Sequence, residues 1–200
     1  ILVPLALEKH LSAIMLMGMV AVVMMFVAGT SPKWLLAGAA AAAVFVVVYI
    51  TFMGYAGDRV TAWLHPEQDP GDTGYQILQS LYAIGSGGFF GKGLGNSAQK
   101  VVIPEAQNDM IFSIICEELG IVGAMIVLLL FVFVLYRLFA IAVNAPDLLG
   151  SLITIGIFAH IAIQVILNIA VVLNVIPTTG ITLPFVSYGG TSIVFLMAEM

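Results

Sequence analysis

Two hundred residues carry a net charge of −5, with 8% charged and 62% hydrophobic side chains and a mean hydropathy of +1.14. Soluble domains carry about a quarter charged residues, so this composition excludes a soluble globular domain and places the chain in a bilayer. Most of the charge sits in one loop, so the acidic balance says little by itself; no nucleic-acid partner is expected, and one cysteine, Cys116, excludes both an intrachain disulfide framework and a CxxC metal site.

The predicted fold class is all-α: a polytopic transmembrane helix bundle, one partial domain over residues 1–200. The chain opens and closes inside apolar runs, which predicts further spans at both ends. Glu8-Lys9-His10 is a polar cluster that reads as interfacial, ahead of a first span over 11–29. Thr30-Ser31-Pro32-Lys33 is a tight turn, and Trp34 fits an interfacial aromatic anchor before a second span over 35–53.

Residues 54–109 form the long polar stretch, a loop of a length that is usually functional. Within it, Gln76–Ile84 has apolar residues at helical spacing and suits an amphipathic helix on the membrane surface. The glycine cluster GSGGFFGKGLG over Gly85–Gly95 is no phosphate loop. Ser86 stands where the first Walker glycine is needed, and Gly93 where Ser or Thr must follow the lysine. The glycines instead suit a sharply turning, closely packed loop.

A third span is predicted over 110–139, interrupted early by Glu117-Glu118 and closed by Arg137. Asn144-Ala145-Pro146-Asp147 makes a short turn into a fourth span over 148–176, where His160, Gln164 and Asn168 repeat every four residues as one polar stripe. Hydrogen bonds between helices explain that stripe better than substrate contact. Pro177–Pro184 reads as a hinge before a fifth span over 185–200. Lys33 and Arg137 fall on one side of the alternation, which makes that side cytoplasmic and the 54–109 loop extracytoplasmic.

The candidate site lies at the mouth of the third span. If a helix begins near Glu105, just after Pro104, then Glu105, Asp109, Ser113 and Glu117 share one face. The first-turn acids could simply complement the helix dipole, with Glu117 and Glu118 paired to a Lys or Arg elsewhere. Alternatively, a partly desolvated Asp109 at the water–lipid boundary has its pKa raised toward that of a general base. Arg59, Lys92 and Lys100 would then neutralise a phosphate leaving group.

Gly74-Tyr75-Gln76, Gln79-Ser80-Leu81, GSGGFFGKGLGNSAQK, IPEAQNDMIF with EELG, and IPTTGITLPFVSYGGTS resemble, in order, the conserved blocks of the SEDS family. These are the FtsW, RodA and SpoVE cell-wall polymerases, and the PEAQNDMIF block looks closer to FtsW than to RodA. The resemblance implies about ten helices, of which about five are present here. It implies an inverting peptidoglycan glycosyltransferase of the bacterial cytoplasmic membrane, polymerising lipid II in cell division or cell-shape maintenance. By the same resemblance Asp109 is the catalytic residue, while Glu105, Lys100, Gln99 and Arg59 bind substrate. The implied partners are lipid II, membrane lipid and a class B penicillin-binding transpeptidase. No cofactor is implied with certainty; a divalent cation, magnesium or manganese, would suit the diphosphate, but no ligand cluster marks a metal site. Two other readings stay open: a lipid II flippase or transporter, and a non-catalytic membrane scaffold for the transpeptidase.

Overall fold

The computed structural model describes residues 11–38, 40–41, 44, 55–68, 73–103, 106–188 and 190–199. The Glu8-Lys9-His10 cluster and most of the expected second span lie outside them. Among the described residues the regular secondary structure is all helical, with no strand. The helices are α1 (Leu11–Val27), α2 (Tyr55–Leu64), α3 (Thr73–Gly87), α4 (Gln99–Val102), α5 (Ile111–Val143), α6 (Leu148–Val172) and α7 (Gly190–Glu199), with a single 3-10 turn at Pro66–Gln68. Residues 32–38 are also helical.

Two of these helices are long and apolar enough to cross a membrane, α5 with 33 residues and α6 with 25. Gly120 interrupts α5 with φ 67° and ψ −169°. The part beyond that kink, 121–143, rises about 35 Å, enough for a hydrocarbon core of about 30 Å. Ile121, Val122, Met125, Ile126, Leu129 and Leu130 all stand exposed along it. Glu117 and Glu118 fall before the kink, off the apolar stretch.

The chain divides into two compact units. The first comprises 1–57 and 133–163. In it α1 ends in a Schellman turn: Thr30 N–H donates to Met25 O (3.1 Å) and Gly29, at φ 78°, donates to Phe26 O (3.1 Å). Asp147 caps α6, its Oδ2 accepting from Gly150 N–H at 3.3 Å. Phe139 and Phe158 pack as a tilted pair with ring centroids 6.1 Å apart.

The second unit comprises 58–132 and 164–200 and holds the candidate site. The amphipathic segment forms α3, longer than its sequence pattern indicates and burying Gly74, Ile77, Ser80, Ala83 and Gly87 along one face. Ser80 Oγ donates to Val172 O (3.3 Å), fixing α3 to the end of α6. That end comes four residues short of the expected Ile176. Asn174 takes φ 56°, Val175 N–H donates to Ala170 O (2.8 Å) and Asn174 N–H to Val171 O (2.9 Å), a Schellman stop with asparagine in the left-handed position. Hydropathy continues through Ile176, whereas backbone geometry ends the helix.

Candidate functional site

The glycine cluster folds onto the kink of α5. In a regular helix Ile121 N–H would bond Glu117 O, and Val122 N–H would bond Glu118 O. Here Ile121 N–H donates to Gly88 O (3.0 Å) and Val122 N–H to Phe89 O (3.2 Å). The released carbonyls accept from the same loop: Lys92 N–H to Glu117 O and Gly93 N–H to Glu118 O, both 2.9 Å. Two bonds of the helix ladder are thus replaced by four to the loop, which leaves no orphaned group and gives the kink its cause. The approach requires glycine on both sides. A Cβ on Gly91 would sit on the Glu118 carbonyl, and one on Gly120 would strike the Phe89 carbonyl and Gly91 N.

Beneath this pairing the Glu117 side chain is fully buried. Its Oε1 accepts from Lys92 Nζ (2.6 Å) and Ser86 Oγ (3.3 Å); its Oε2 accepts from Ser97 Oγ and from Gln99 N–H (3.2 Å). Lys92 also donates to Ser86 Oγ at 2.9 Å. Lys92, Ser97 and Gln99, with the Ser86 hydroxyl shared between the carboxylate and Ala83 O (3.1 Å), make burial of the charge tolerable.

The turn before α5 is held from elsewhere. Tyr188 N–H donates to Gln107 O (2.8 Å), Ser187 Oγ to Asn108 O (2.6 Å), Asn168 Nδ2 to Asp109 O (2.7 Å) and Ser113 Oγ to Met110 O (2.7 Å). Four consecutive carbonyls therefore have named partners, drawn from α5, α6 and the 187–188 segment. Ser187 Oγ accepts in turn from Leu183 N–H (2.7 Å), and Asn168 Nδ2 also donates to Ile181 O (2.8 Å). Met110 is fully buried and Asp109 is half-buried beside it. A cleft of about 160 Å³ opens next to this turn, between Leu94, Lys100, Ala106, Gln107 and the α5 side chains Ile111, Ile114, Ile115, Glu118 and Leu119.

Several sequence expectations change here. The expected helix does not run through residues 106–110, which are turns, and α5 begins at Ile111. The carbonyls that would seed such a helix are taken by distant partners. Asp109 therefore precedes the helix instead of sharing a face with Ser113 and Glu117. Pro104 and Glu105 lie outside the described residues. Lys92, expected to face a phosphate, is bonded to Glu117 instead. Arg59 donates through Nη1 to Thr178 O at 2.8 Å, joining α2 to the 177–180 segment. Gln99 lies against the Glu117 carboxylate through its backbone, and Lys100 lines the cleft. Asn168, taken as interhelical glue, instead grips two non-helical carbonyls. Its four-residue stripe with Gln164 was the available signal; nothing local names its partners. Ser97 and Ser187 stand inside the blocks that carry the family resemblance, but nothing local names their partners. Among the described residues no group of three His, Cys, Asp or Glu side chains is placed to hold a metal ion.

The family model for cell cycle proteins of the FtsW, RodA and SpoVE type matches residues 1–200. The chain is 48% identical over 178 residues to stage V sporulation protein E of Bacillus subtilis strain 168, covering 88% of this chain and 48% of that protein. It is 41% identical over 187 residues to the "Probable peptidoglycan glycosyltransferase FtsW" of Trichlorobacter lovleyi, covering 93% of this chain and 49% of that one. The chain thus spans about half the length of these relatives. Among solved structures, one chain of "Structural coordination of polymerization and crosslinking by a peptidoglycan synthase complex" superposes with a TM-score of 0.76 at 31% identity, over 98% of this chain and 55% of that one.

Proposed function

The chain belongs to the FtsW/RodA/SpoVE family of cell cycle proteins, and from that membership we propose that the protein of which it is a part polymerises lipid II into glycan strands, releasing undecaprenyl diphosphate. It is an integral membrane protein. In this reading α5 and α6 cross the bacterial cytoplasmic membrane. Further spans cover about 11–29, 35–53 and 185–200, and the 54–109 segment is extracytoplasmic.

The base is Asp109. Its carboxylate takes the proton from the 4-hydroxyl of an acceptor sugar. The freed oxygen pair attacks the anomeric carbon of the lipid-linked strand from the face opposite the diphosphate. The carbon–oxygen bond to the diphosphate breaks with inversion, and the leaving group keeps the electron pair. Lys100, beside the cleft and outside the buried ion pair, is the cation we assign to that developing charge, with Glu105 and Gln99 as neighbouring substrate contacts. Arg59 acts by holding the 177–180 segment.

The observation that supports this assignment is the locked turn. A general base works only if its approach is fixed, and Asp109 sits where every carbonyl from Gln107 to Met110 is tied down. The neighbouring structure's peptidoglycan synthase complex supports a transpeptidase partner, which we assign to the class B penicillin-binding proteins. The test is strand formation from lipid II by the full-length protein with that partner. Asp109→Asn should abolish it while the complex still forms. Polymerisation that persists would remove Asp109 from the mechanism and favour a transporter or scaffold.

A further inference from the structure

Asn168 is fully buried in α6, on the same face as Gln164 in a largely apolar helix. Its Nδ2 carries two hydrogens, and both are used: one on Asp109 O at 2.7 Å, one on Ile181 O at 2.8 Å. Its Oδ1 is buried and has no hydrogen-bond partner among the described residues. The amide cannot be turned over to relieve this, because Oδ1 would then face two carbonyl oxygens. A residue selected only to fill space in an apolar helix would not leave an acceptor stranded, so the two donated bonds are what the position requires.

One of those bonds lands on the backbone of Asp109 itself. Holding that carbonyl fixes ψ at residue 109, and with it the direction of the Cα–Cβ bond relative to α6. The other bond ties the 181 segment to the same point, and Ser187 a few residues on holds the adjacent carbonyl of Asn108. The backbone that carries the Asp109 side chain is thus held by a group buried in α6.

We propose that Asn168 is a positioning residue that sets the direction of the Asp109 carboxylate, a role that rests on the reading of Asp109 as the base. Asn168 touches no substrate. Its loss acts on the rate of the chemical step and leaves lipid II binding as it was.

The experiment uses the full-length protein with its transpeptidase partner and lipid II as substrate. It compares Asn168→Ala, Asn168→Asp and Asp109→Asn. Both Asn168 variants should lower kcat by about 10²-fold, the scale expected when a catalytic group is misplaced by about an ångström, with KM for lipid II unchanged. Asn168→Asp keeps the volume and replaces the amide donor with an acceptor, so it should fail as Asn168→Ala does. Thermal unfolding and partner co-purification are read on the same samples. Wild-type kcat in either Asn168 variant, or a rise in KM matching the fall in kcat, would overturn the proposal while Asp109→Asn is inactive. If neither variant folds, Asn168 belongs to the scaffold and the proposal is equally overturned. Polymerisation by Asp109→Asn is a separate result, and it defeats the reading of the base itself.

Discussion

Lys92 Nζ lies 2.6 Å from Glu117 Oε1, and the two partners are unequal: Glu117 is fully buried, whereas the lysine side chain is 38% exposed. Removing the cation strands a buried carboxylate; neutralising the carboxylate leaves a lysine that can turn to water. Lys92→Met should therefore destabilise by about 3 kcal/mol, the lower end of what breaking a buried pair costs. Glu117→Gln should cost less, because its amide still accepts from Ser97 or Gln99. Unfolding of the two full-length variants in the same detergent checks the order.

The glycines should separate by surroundings and not by φ alone. Gly88 has φ 58° with open space around a Cβ, so Gly88→Ala should cost about 1–2 kcal/mol for the left-handed backbone. Gly91 and Gly120 share that backbone sign but would also collide with main-chain atoms across the pairing. Their alanine variants should exceed about 4 kcal/mol or fail to accumulate. Gly85, inside α3 with nothing near its Cβ, should accept alanine with a gain of about 0.5–1 kcal/mol. Expression and thermal unfolding of the four variants would rank them.

Ser187 bridges Leu183 N–H and Asn108 O through one buried hydroxyl. Ser187→Ala leaves both groups without that partner, at about 1–3 kcal/mol. Hydrogen exchange should show the Leu183 amide losing protection, with little change at amides near the Gly120 kink. Uniform loss across the unit would contradict a local bridge.

Lys100 and Lys92 should behave differently in kinetics. Lys100 lines the cleft, so Lys100→Met should lower kcat/KM for lipid II by about tenfold or more, the effect of losing a charge-assisted bond of about 1.5–3 kcal/mol, with stability unchanged. Lys92→Met should act through stability. Paired kinetic and unfolding measurements on the full-length complex decide between them.

What the sequence made legible follows from range. Membrane character is a property of composition, and α3 is written in the local spacing of Ile77 and its neighbours, so both could be read directly. The conserved blocks placed Asp109 within a family whose membership the comparisons establish. The helix start was misplaced because Pro104 and the acids after it are a sound local signal for an N-terminus, overridden by Tyr188, Ser187 and Asn168 from far along the chain. The kink was invisible for a similar reason. Apolar periodicity runs straight through Gly120, and the loop that opens the helix there lies well upstream. That Glu117 pairs with a cation is legible in the sequence, but which cation is not, because Lys92 reaches it only through the fold of the glycine loop.

The exchange of backbone bonds at Gly120 has a dynamic consequence. Because the loop supplies the partners that the start of α5 gives up, neither can loosen while the other stays intact: lifting residues 88–93 away would leave Ile121 N–H, Val122 N–H and the carbonyls of Glu117 and Glu118 without those partners. Loop and helix entrance must therefore open as one cooperative unit. The loop can move aside only if α5 straightens or unwinds in the same motion.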